Sequence, residues 1–435
     1  MFRPTRSCIL LVAATLTVHA AAAEKARPLM REFMGLNVHT VQFKPELYAP
    51  VTQLVRDYHG LDWDTGDKPG NPTVFAKAQN GVDWGQMYGS WRKAGYRINA
   101  CIIFDNVDPK KWQDIPREAA QYGSAFAKAF GPSGAQPVVE ALEIGNEPGL
   151  YDDATYRSIF EHMARGVREA DPKLRIATCA ANLGPSGRYS KSVDLLKGLE
   201  SLYDIVNIHI YADLEPWPTF KKTYPEDPKT EFLSAVKHVL KWRADNASDK
   251  HLWVTEFGWD ASTQKPKPSG DFAKWIGSSE TQQAQWIVRG YLLFAALGVD
   301  RAYLYWFNDD DTPQMHGSSG LTRNYQPKPS FHAVAWLQRS LGDYRFARVI
   351  REDAEGSYVY EFEHGSDSSK KVWAVWKPLG PEAATRLPVE DLRVVKAERM
   401  PLSADAPESS TPALKDGSVE IPASEAPLFV WLEKP

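Results

Sequence analysis

Eight short apolar runs recur along the first 306 residues, and a segment with helical spacing follows each of them. The runs span 33–39, a stretch closing on Arg56-Asp57-Tyr58-His59, then 96–104, 138–145, 174–180, 205–210, 251–255 and 301–306. Their β-branched and aromatic content predicts strands. Apolar residues at helical spacing predict helices over 45–55, 83–93, 115–130, 153–170, 192–202, 230–243, 280–297 and 329–339. Strictly alternating strands and helices, joined by connections that suit parallel neighbours, predict an α/β fold in which a (β/α)8 TIM barrel occupies residues 30–342. A doubly wound open sheet is the alternative, and no glycine-rich phosphate loop supports it.

Beyond residue 343 the rhythm changes to short alternating segments at 358–363, 371–376, 392–397 and 428–432. These predict a C-terminal antiparallel β-sandwich over 343–435. Three long connections, at 62–80, 214–229 and 261–277, are rich in Gly, Pro and Lys and would wall a cleft.

In such a barrel the C-terminal strand ends carry the chemistry, so residues just past each apolar run are the ones to examine. That rule selects Asn146 and Glu147 in LEIGNEP (142–148), His209 and Tyr211 in IHIY (208–211), Glu256 in WVTEFGW (253–259) and Trp306 after the eighth run. The first two runs add His39 and Arg56, with Asn37 and Trp63 as weaker candidates.

Two carboxylates on facing strand ends meet the requirement of glycoside hydrolysis, in which one acid protonates the leaving oxygen while a second carboxylate attacks the anomeric carbon. Glu147 is the expected acid/base and Glu256 the expected nucleophile, kept ionised by a hydrogen bond from Arg56 or Tyr211. Asn146 is expected at the sugar hydroxyl next to the anomeric centre. His39, Arg56, His209, Tyr211, Trp259 and Trp306 complete the expected substrate-binding set, aromatic faces being suited to pyranose rings. Glu143, which alternates with Glu147, reads as a packing or salt-bridge residue.

With these residues on the page, the chain resembles the glycoside hydrolases of clan A. Their barrels carry an Asn-Glu acid/base after strand four and a Glu nucleophile after strand seven, which LEIGNEP and WVTEFGW match in order and position. IHIY resembles the strand-six segment whose Tyr bonds the nucleophile, and Trp306 resembles the strand-eight platform. The G-N-E-P wording, a leader and a C-terminal sandwich look most like families thirty-nine and seventy-nine, and the strand-two Arg resembles family five. Gly145 departs from the bulkier residue, such as Trp, often found at that place. The resemblance covers residues 33–340 and implies a retaining β-glycoside hydrolase with no cofactor and no metal, acting on a poly- or oligosaccharide.

Composition narrows the partners. With 51 Lys+Arg against 55 Asp+Glu the charge is nearly balanced, which argues against nucleic acid or an anionic membrane as a partner. Residues 1–23 read as a signal peptide: Arg3 and Arg6 precede an apolar centre, and a run of alanines ends at Ala23. A secreted or periplasmic protein, free of the membrane once the leader is removed, is therefore expected. Cys101 and Cys179 lie inside apolar runs and read as buried hydrophobes, and no close metal-ligand spacing occurs. Two rivals use the same residues: a transglycosylase, and a carbohydrate-binding barrel without activity.

Overall fold

The computed structural model describes residues 26–434; the leader expected at 1–23 lies outside them. Eight parallel strands close into a barrel: β1 Met34–Val38, β2 Leu54–Gly60, β3 Arg97–Ile103, β4 Val139–Ile144, β5 Arg175–Asn182, β6 Ile205–His209, β7 His251–Phe257 and β8 Arg301–Leu304. Each pairs with the next, and β8 pairs with β1. The fold is the expected barrel, and its strands are buried on both faces, as parallel sheets covered by helices must be.

Helices form where the sequence caps them. Asp83, Asp114 and Asp152 accept N–H bonds at the starts of Trp84–Lys93, Ile115–Phe130 and Asp153–Ala170. Glu280–Leu297 opens on a Ser279/Gln282 capping box and ends at Gly298, whose φ of 95° is the left-handed C-cap. Two expected helices are corrected. The segment 45–55 gives one turn, Pro45–Tyr48, because Leu54 and Val55 already belong to β2. The segment 192–202 splits into 3-10 turns, Val193–Leu196 and Glu200–Leu202, around Gly198 at φ 86°.

The barrel interior is layered. Leu54, Ala141, Ala177, Ile205, Trp253 and Tyr303 fill its lower level. Gly35 makes room there, since a Cβ on it would stand 2.3 Å from the Tyr303 ring. Above them lies a buried polar level of Asn37, Arg56, Asn99, Glu143, Asn207 and Thr255.

After the helix Pro329–Leu341 the chain enters a sandwich. One sheet is built on β9 Tyr344–Glu352, β10 Tyr358–His364, β11 Asp367–Trp376, β13 Arg393–Arg399 and β15 Leu428–Glu433, with Ser409–Ser410 at its edge; the other is built on β12 Ala383–Pro388 and β14 Ser418–Ala423. Val359, Val375, Val419, Ile421 and Val430 pack between the sheets. The outer face of the larger sheet packs on the barrel, where Phe429 stacks on Trp336 at 4.1 Å. Among the described residues no helix is long and apolar enough to cross a membrane.

Candidate active site

Glu147 and Glu256 stand over the polar level at the C-terminal mouth of the barrel. Gly145, at φ +84°, turns the chain out of β4 and presents Asn146 and Glu147; a Cβ there would press on Phe104 and Tyr156 at 3.2 and 3.3 Å. Glycine is therefore the residue this turn requires, in place of a bulkier one. Glu256 lies within β7, where the register against β6 slips between Val254 and Glu256. The irregularity lets the sequence neighbours Thr255 and Glu256 both face inward, as bulges beside sites commonly do.

Both oxygens of Glu256 are held. Oε1 accepts from Arg56 Nη1 at 3.1 Å and Tyr58 Oη at 2.7 Å, and Oε2 accepts from Tyr211 Oη at 2.8 Å. Burial alone would push this carboxyl up. The charges of His209 and Arg56 and the two tyrosine hydroxyls outweigh that and hold it below the usual carboxylate range.

Arg56 is the hub beneath. It grips Glu143 through Nε at 2.8 Å and Nη2 at 2.6 Å, and donates to Asn37 Oδ1 and Asn146 Oδ1, each at 2.8 Å. It is 0% exposed, so it positions Glu256 and Asn146 and does not touch substrate; this corrects the sequence expectation of direct contact. Glu143 is its buried ion-pair partner.

His209 Nδ1 lies 2.9 Å from Glu147 Oε1 and 3.6 Å from Glu256 Oε2. Burial works against its charged form, but the flanking carboxylates prevail and its pKa is raised. Single atoms of Glu147, His209 and Glu256 lie within 4.8 Å of one another. The same donor set has the composition of a cation site, yet Arg56 and two hydroxyls already occupy the oxygens of Glu256.

His39 and Trp306 sit together at the mouth with ring centroids 6.4 Å apart, and Trp63 faces His39 from the other side at 6.3 Å. All three are partly exposed. Trp259 is different: it is 0% exposed, packs on Phe232, Phe257 and Trp286, and donates to the Thr223 carbonyl. Its expected substrate contact is therefore wrong. Past Gly258 the chain leaves the cleft, and Trp259 joins the core.

Three residues that the structure places beside Glu147, Glu256 or Tyr211 escaped the sequence reading. Tyr58 follows Arg56 by two on β2, so strand alternation alone placed it on the same inner face. Asp105 directly follows the third apolar run; its Oδ2 accepts the Glu147 backbone N–H at 2.9 Å, and burial chiefly pushes its carboxyl up to about 6. His316, in the loop after β8, packs on Tyr211 at 4.9 Å and Tyr305 at 5.2 Å, with burial and the nearby Lys222 charge favouring its neutral form. No periodic signal marked it.

No family model matches the chain, and no curated protein matches it in sequence. Solved structures do match in fold. A family 39 glycoside hydrolase from Bacteroides cellulosilyticus aligns with a TM-score of 0.68 at 17% identity, over 92% of this chain and 81% of that one. A glucosidase from Croceicoccus marinus gives 0.63 at 12%, over 94% and 97%. An α-L-arabinofuranosidase from Thermotoga maritima gives 0.59 at 13%, again over 94% and 97%. The chain thus shares the barrel-plus-sandwich fold of these enzymes.

Proposed function

We propose that this chain is a secreted or periplasmic retaining β-glycoside hydrolase that cleaves oligo- or polysaccharides by double displacement. The observation that carries the reading is the approach of Glu147 and Glu256, whose nearest ligand oxygens lie within 4.8 Å. So close an approach favours the ~5–5.5 Å carboxyl spacing of a retaining pair over the ~6.5–9.5 Å that leaves room for an attacking water. In the first step Glu256 attacks the anomeric carbon while Glu147 gives its proton to the departing oxygen, leaving a glycosyl ester on Glu256. In the second, Glu147 takes a proton from water as that water displaces Glu256. Arg56, Tyr58 and Tyr211 stabilise the carboxylate that attacks and is later released. Asn146, fixed by Arg56, faces the hydroxyl beside the anomeric centre.

The test is trapping. Incubation with activated 2-deoxy-2-fluoro glycosides should add one glycosyl mass per chain, mapped to Glu256. Labelling of another residue, or hydrolysis that inverts the anomeric configuration by NMR, would overturn the reading.

A further inference from the structure

Loop 213–222, which follows β6 at the mouth of the barrel, folds back on itself as a hairpin. An isolated antiparallel bridge joins Asp213 to Lys222, and the N–H groups of Leu214 and Glu215 donate to the Lys221 carbonyl at 2.8 and 3.1 Å. Thr219 and Phe220 close the tip onto the Pro216 carbonyl at 3.2 and 3.0 Å. Both feet stand beside the nucleophile: Tyr211, two residues before Asp213, holds Glu256, and the Lys222 ammonium lies 4.5 Å over the Tyr211 ring.

At the tip, Trp217 is 67% exposed, whereas Trp84, Trp91, Trp253, Trp259, Trp336 and Trp376 are essentially buried. Trp217 is held in water on a braced segment, which leaves the flat face of its indole open to a ligand. The brace is extensive. Thr219 accepts the Ile276 N–H at 2.9 Å, Phe220 packs on Phe272 at 5.3 Å, and Lys222 pairs with Asp260 at 2.7 Å. Pro216 and Pro218 flank Trp217 and restrict its backbone. Farther along the same connection, Glu226 is bound by Arg289 and by Trp376 of the sandwich.

We propose that Trp217 is a stacking platform for a sugar unit outside the catalytic subsite, so that the substrate is a glycan chain long enough to engage both. The inference rests on the glycosidase reading. Trp217 stands at the tip of the loop, four residues past the Asp213 foot and five before Lys222. A preorganised aromatic surface binds with little ordering cost. A neutral glycan suits the hairpin, whose two cations each already face a carboxylate: Lys221 that of Glu215 at 3.4 Å and Lys222 that of Asp260.

The experiment compares wild type, Trp217→Ala and Trp217→Phe on neutral polysaccharides, on their oligosaccharide series and on an aryl monoglycoside. Trp217→Ala should raise KM about tenfold on chains that reach the platform, the scale of ~1.4 kcal/mol. It should leave aryl monoglycoside turnover and the melting temperature unchanged, and Trp217→Phe should recover part of the loss. An equal loss on both substrate types, or none on any chain, would overturn the platform. Affinity electrophoresis separates this from failure of the glycosidase reading. If wild type cleaves nothing but is retarded by a neutral polysaccharide, and Trp217→Ala is not, the platform stands without the activity. If wild type is retarded by none of the panel and cleaves none of it, the platform falls.

Discussion

Trp376 in the sandwich donates its indole N–H to Glu226 in the barrel's sixth connection at 2.6 Å. Glu226 also takes two donors from Arg289, which spends another on the Pro378 carbonyl, and Arg289 and Trp376 are both fully buried. The sandwich therefore fastens the connection that begins at Tyr211, the residue that bonds Glu256. Trp376→Phe removes one donor and leaves a small cavity where the larger indole sat; it should cost about 1–3 kcal/mol. Glu226→Ala strands a buried guanidinium and should cost about 3–5 kcal/mol. Denaturant unfolding of the full chain would rank them, and equal losses would refute the assigned hierarchy.

The two tyrosines that grip opposite oxygens of Glu256 make a second prediction. Each hydroxyl bonds a charged group, so its loss should cost about 1.5–3 kcal/mol of carboxylate stabilisation. Tyr58→Phe and Tyr211→Phe should each lower kcat/KM by about 10- to 100-fold at unchanged fold. Because both act on one carboxylate, their effects should not add in the double variant. Steady-state kinetics on an aryl glycoside would measure the coupling, and strict additivity would contradict a shared acceptor.

The acid/base assignment predicts a dependence on leaving group. Glu147→Ala removes the proton donor, which matters little when the departing phenolate is already stable. The value of kcat/KM, which reports the step that expels the leaving group, should fall by less than about tenfold for a dinitrophenyl glycoside and by about 10²–10⁴-fold for an unactivated one. A uniform loss across leaving groups would move Glu147 out of this role.

Much of this site was legible because barrel strands translate directly into positions. The apolar runs ending at Gly145 and Thr255 suffice to put Glu147 and Glu256 at one mouth. Tyr58 was equally legible by alternation from Arg56. Trp259 misled because a strand end says nothing about the next turn: Gly258 approaches the Tyr305 carbonyl so closely that a Cβ would meet it at 2.3 Å, and the indole is carried into the core. His316 had no pattern to betray it, since its position depends on how the loop after β8 folds over Tyr211. Helical spacing over 45–55 was a coincidence of one turn followed by a strand, each burying its own apolar residues.

His209 gives the last prediction, one of pH. The folded protein raises its pKa above the ordinary 6.5, so folding binds this proton more tightly than the unfolded chain does. The resulting stability is fully present below pH 6.5 and is lost as pH rises through the raised value. Glu256 runs the other way: its folded value is depressed, so its contribution is present above the ordinary 4.5 and fades as pH falls below that. The two groups leave separate marks on one stability curve. His209→Asn should abolish the decline on the alkaline side above pH 6.5. It should also reduce the contribution of Glu256 on the acid side, because the charge that helps hold that carboxylate ionised is gone. Urea unfolding of wild type and variant at intervals from pH 3.5 to pH 9 would check both limbs, and parallel curves on the alkaline side would show that His209 carries no extra proton in the fold.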